Sequence, residues 1–153
     1  GEFEQLTEET VRSMAATHRR YGVKCVMLGI WGWNHLAPDA AVRAKAHAML
    51  QRAIGFGRIL QADVLTTGGG VLGPSLEENV AEFLKVFPPF LEAIEAAGMR
   101  PAFYAVHGNS FFESLESYER VWATLPQLGL GLRPLLPSLS SRPPKRSVSL
   151  VRL

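Results

Sequence analysis

The sequence predicts an α/β fold, a parallel sheet with helices packed outside it. Short, almost wholly apolar runs alternate with amphipathic runs of helical period, at roughly 30–40 residues per unit. Each amphipathic run also opens on a residue suited to cap a helix. Apolar runs without polar alternation suit strands covered on both faces, and helical connections between them make the strands parallel.

Thr7 caps the first helix, with Glu8 and Glu9 in its first turn, Val11, Met14, Ala15 and His18 at helical spacing, and Gly22 ending it. The run 23–30, VKCVMLGI, is the first strand. Asp39 after Pro38 opens a long helix with Val42, Ala46, Met49, Leu50 and Ala53 on one face. The second strand is 62–67, ADVLTT, and a run of three glycines ends it. Ser75 and Glu78 have the form of a capping box. The helix behind them carries Val80, Phe83, Leu84, Phe87, Leu91 and Ile94, and Pro88 and Pro89 must kink or split it. Gly98 closes that helix and 101–106 is the third strand. Ser110 or Ser114 starts a last helix, stopped by Pro126, and LGLGL at 128–132 is a fourth strand. From 133 on the periodicity disappears into a Pro-, Ser- and Arg-rich tail, expected to be irregular.

A chain of 153 residues, 47% hydrophobic and 20% charged, suits a single globular domain over residues 5–132. The longest apolar run, 26–33, is far short of the roughly 20 residues that span a bilayer. The acidic start resembles no signal peptide, residues 1–4 have the look of a disordered cloning scar, and the expected location is cytoplasmic. Cys25, the one cysteine, sits in an apolar run and reads as a buried thiol. The formal charge of +2 divides into a tail of +5, from Arg133, Arg142, Lys145, Arg146 and Arg152, and a body of −3. The basic character thus belongs to the tail, which argues against nucleic acid as a partner of the fold itself.

Ligands in parallel α/β folds bind beyond the carboxyl ends of the strands, which selects three segments. The segment 31–35 offers Trp31, Trp33, Asn34 and His35, rings and polar groups suited either to stack and orient a sugar or to cover the sheet end. The glycines Gly68 and Gly69 could present N–H groups to a ligand, or could serve a loop that needs positive φ. No Gly-Lys-Ser/Thr follows them, so a nucleoside triphosphate is not indicated. The segment 107–110 supplies His107, the candidate catalytic residue, and Asn109, a candidate substrate contact. A metal site needs three or four convergent ligands, and no strand ends in Asp or Glu.

The order of LQRAIGFGRILQADVLTTGGG and ENVAEFLKVFPPFLEAIEAAGMRPAFYAVHGNSFFESLESYERVW resembles the sugar phosphate isomerase/epimerase family, the xylose-isomerase-like TIM barrels. The resemblance covers residues 5–132 and implies a partial (β/α) barrel of about four parallel strands, truncated relative to the family. It further implies aldose or ketose isomerisation or epimerisation assisted by a divalent metal such as Mn, Mg or Zn. His107 matches the histidine that follows the family's metal-binding glutamate on the third strand. The glutamate position itself is Ala105, and the next expected ligand, an aspartate, falls where Arg133 and Pro134 stand. The expectation is therefore no resident metal here and doubtful catalysis, with the tail as a non-native continuation.

Two other functions remain open at this level. One is an interaction module acting through a hydrophobic half-barrel surface. The other is nucleic-acid binding through the tail, which deletion of 133–153 would abolish. Four parallel strands cannot close a barrel, so a homodimer or other homo-oligomer is expected, with a sugar or sugar phosphate as ligand and no membrane association.

Overall fold

The computed structural model describes residues 2–104 and 110–128. Its centre is a sheet of three parallel strands in sequence order, β1 (Met27–Gly29), β2 (Val64–Thr67) and β3 (Arg100–Phe103). Met27 stands beside Val64, and Val64 beside Arg100. The expected fourth strand and the basic tail lie outside the described residues, apart from Leu128, which ends a 3-10 turn at Leu125–Leu128. β1 and β2 are shorter than the apolar runs that announced them, and residues 105–106 of the third expected strand lie outside the described residues. β1 lies at the sheet edge, and residues 23–26 before it have no neighbouring strand to hold them in the ladder.

Among the described residues six helices surround the sheet: α1 (Glu2–Gln5), α2 (Glu8–Tyr21), α3 (Ala40–Leu60), α4 (Leu76–Val86), α5 (Pro88–Ala96) and α6 (Leu115–Thr124). Their starts are set by side chains that replace missing backbone partners. Thr7 accepts from the Thr10 N–H, Asp39 from those of Ala41 and Val42, Ser75 from that of Glu78 and Ser114 from that of Ser117. Pro88 and Pro89 split α4 from α5 by standing in the first turn of the second helix, where a missing N–H costs nothing. Residues 1–4 were expected to be disordered, yet α1 forms. The Phe3 ring meets Phe56 edge-on at 5.8 Å and Lys45 pairs with Glu4, contacts that tie this turn to α3.

Strand alternation divides the sheet into two faces. Leu65, Thr67 and Phe103 point toward the helices, into a core dominated by phenylalanines. There Phe83 stacks on Phe87 at 4.2 Å and meets Phe103, Phe111 and Phe112 edge-on. The opposite face carries Met27, Gly29, Val64, Thr66, Arg100 and Ala102, the side that a closed barrel turns inward. No helix among the described residues is long and apolar enough to cross a membrane.

Candidate functional site at the strand ends

The three strand ends bring residues 30–36, 68–72 and 104 to one side of the sheet. Asn34 fastens the first two loops together. Its Oδ1 accepts from Leu36 N–H at 3.1 Å and Val71 N–H at 2.8 Å, and its Nδ2 donates to the Val71 carbonyl at 2.8 Å. Gly70 makes that fit possible. It sits at φ +81°, and a Cβ there would lie 2.6 Å from the Leu36 nitrogen. Gly69 passes so close to Phe112 that a Cβ would stand 2.5 Å from its ring, and its N–H is taken by Ser110 Oγ at 3.1 Å. The glycine run is thus a close-packing device, with the Gly69 donor turned toward the protein.

The candidates in 31–35 part company. Trp33 turns to the helix side, half-buried against the core, with Lys45 Nζ 5.6 Å above its ring. His35 is fully buried, with Nε2 2.9 Å from Thr67 Oγ1 and its ring edge-on to Phe87. Its carbonyl accepts from His47 Nε2 at 2.9 Å. Burial, with His47 nearby as a second cause, pushes the His35 pKa down to about 3, so the ring is neutral. Asn34 joins the two loops. Both Trp33 and His35 lie on the helix side of the strand end. The reason lies in the chain's exit from the β-ladder, after which the two-residue alternation no longer governs direction. His107 and Asn109 lie outside the described residues.

Trp31 alone of this group stands on the inner face. Its indole folds back over β1, so that a Cβ on Gly29 would lie 2.8 Å from the ring. It stacks at 4.6 Å, tilted by 40°, on Tyr104, a residue that nothing in the sequence pattern marked. The Tyr104 N–H continues the ladder to the Thr67 carbonyl. Its ring contact with Trp31 reaches from the β3 side toward β1. Burial raises the Tyr104 pKa, against the opposing pull of the Gly32 and Gly68 backbone amides. Tyr104 could have been found from sequence only by noting that it occupies the inward register next after Ala102.

A cavity of about 380 Å³ lies between the loop after β2 and the start of α6, lined by Asn79, Ser110, Phe111 and Glu113 among others. A second, of about 370 Å³, is at the opposite ends of the strands and includes His18, Cys25 and Asp63. Burial raises the Cys25 pKa, which keeps this thiol protonated and unreactive.

The donors among the described residues do not fit a catalytic divalent metal. Among the described residues no three His, Cys, Asp or Glu side chains converge. Asp63 pairs with Lys24, Glu82 with Arg43 and Glu116 with Arg120, and position 105 is an alanine without a ligand atom.

An open parallel sheet with outer helices is a segment of a (β/α) barrel. The chain belongs to the xylose isomerase-like TIM barrel family, whose model matches residues 2–132. Its structure resembles a Sinorhizobium meliloti protein at 24% identity and a TM-score of 0.60, covering 75% of this chain and 44% of that one. It also resembles a D-tagatose 3-epimerase-like protein, at 15% identity, a TM-score of 0.60 and coverage of 75% and 46%. A D-psicose 3-epimerase solved in the presence of D-fructose shows 12% identity, a TM-score of 0.61 and coverage of 78% and 46%. The chain thus spans less than half the length of each of these structures. The comparison with curated protein sequences returns no match.

Proposed function

We propose that this chain provides a sugar-binding mouth of the isomerase/epimerase type, taking a ketose or aldose, free or phosphorylated, at the C-terminal ends of its strands. The observation that supports this best is the Trp31–Tyr104 ring pair on the inner face, with the backbone amides of Gly32 and Gly68 close enough to oppose the rise in the phenol's pKa. An aromatic face set beside fixed polar groups suits a sugar, which has an apolar C–H side and hydroxyls around its rim. Family membership and the epimerase neighbours favour the same ligand class. Isomerisation or epimerisation is the reaction those relatives suggest. No metal-assisted step is assigned to the described residues, and His107 is proposed as the acid–base group at the third strand end.

Calorimetric titration with D-fructose, D-psicose, D-tagatose and D-fructose 6-phosphate tests the reading. The expected result is saturable heat of one site for at least one sugar, abolished by Tyr104→Ala. Absence of binding by all four, or binding indifferent to Tyr104→Ala, contradicts it.

A further inference from the structure

Beneath the aromatic pair lies a row of unusually small inward residues. Gly29 stands beside Thr66, and Thr66 beside Ala102, so the three form one layer on the inner face. Barrel interiors are ordinarily filled at such positions by bulky branched side chains. Here the Trp31 indole lies over Gly29 instead, and the Tyr104 ring reaches from the β3 side to meet it. Thr66 is 7% exposed, and its Oγ1 is buried with no hydrogen-bond partner. An unpaired buried hydroxyl is costly, and a valine would fill the same volume without that cost. Trp31, by contrast, is 56% exposed, so only one side of its ring is held by the protein.

Taking the sugar-site reading as its basis, we propose that Trp31 is a displaceable roof and that Thr66 Oγ1 is the buried contact of the site. A sugar ring takes the place of the indole over Gly29, stacks on Tyr104, and hydrogen-bonds to Thr66 through one hydroxyl. The missing Cβ at position 29 and the single methyl of Ala102 leave the depth a pyranose or furanose ring needs. The unpartnered Thr66 hydroxyl gains its partner only when the sugar is bound, so its desolvation cost in the free chain turns into selectivity for a hydroxylated ligand. Trp31 covers the layer in the meantime and keeps it from water.

The full chain and three variants, Thr66→Val, Thr66→Ser and Trp31→Ala, are titrated with D-fructose, and their thermal midpoints are measured. Thr66→Val is expected to weaken binding about tenfold or more, the scale of one lost hydrogen bond, without lowering the midpoint. Thr66→Ser retains affinity, and Trp31→Ala binds more tightly because no roof has to be displaced. Binding of the wild-type chain moves Trp31 off Tyr104 and changes indole emission, a change missing in Trp31→Ala. Unchanged affinity in Thr66→Val, or weaker binding by Trp31→Ala, overturns this proposal and leaves the sugar site standing. No binding by any of the four proteins overturns both.

Discussion

A single buried imidazole links the site's scaffold to pH. His35 is neutral in the folded chain because burial holds its pKa near 3, whereas the unfolded chain takes up a proton at the ordinary value of 6.5. The unfolded state therefore binds the extra proton between those values, and stability falls as pH is lowered through that window. Each pH unit removes roughly 1.4 kcal/mol from this source, and above the upper value the full stability is present. Urea unfolding at neutral pH and again near pH 4.5 should show that decline, and His35→Gln should flatten it. An identical decline in the variant would place the acid sensitivity elsewhere. The residue also marks a limit of sequence reading. WGWNH announced two tryptophans, an amide and an imidazole at a strand end, but not that only Trp31 would face inward. Nothing in the sequence marked Tyr104, because its contact with Trp31 joins segments far apart in the chain.

At the scale of elements, one side chain shapes the loop that leads from β2 into α4. Asn79 is buried, its Oδ1 accepts from the Leu72 N–H, and its Nδ2 donates to the carbonyls of Gly73 and Ser75. Asn79→Ala leaves three backbone groups without these partners, and thermal or urea unfolding should register a loss of about 2–4 kcal/mol. Asn79→Asp, which keeps the acceptor, should fall between the two. The elements themselves were largely legible. Thr7, Asp39, Ser75 and Ser114 cap the helices expected of them, and the proline pair splits α4 from α5, because capping and proline effects act within one turn of chain. Strand lengths were less legible, since pairing is decided by a neighbour. VKCVMLGI reads as eight strand residues, yet only 27–29 pair with β2. The close approach of Gly70 to His35 and Leu36 was legible only as a glycine run whose purpose stayed open.

For the whole molecule, the open sheet is the governing fact. Val23, Val26 and Met27 are 55%, 62% and 54% exposed along the β1 edge, away from the strand-end mouth. An unpaired apolar edge is a template for association, and a two-fold dimer of this chain is expected to cover it. Light scattering after size exclusion at micromolar concentration should give twice the chain mass, and Val26→Glu with Met27→Glu should return the monomer. A wild-type monomer would show that the edge is covered within one chain. The proposed sugar site on the inner face of this barrel segment is tested by a crystal structure of the chain grown with D-fructose. A sugar ring is expected against Tyr104, above Gly29 and Thr66, with the Trp31 indole moved aside. A sugar bound instead at the opposite ends of the strands, beside His18 and Asp63, would contradict it.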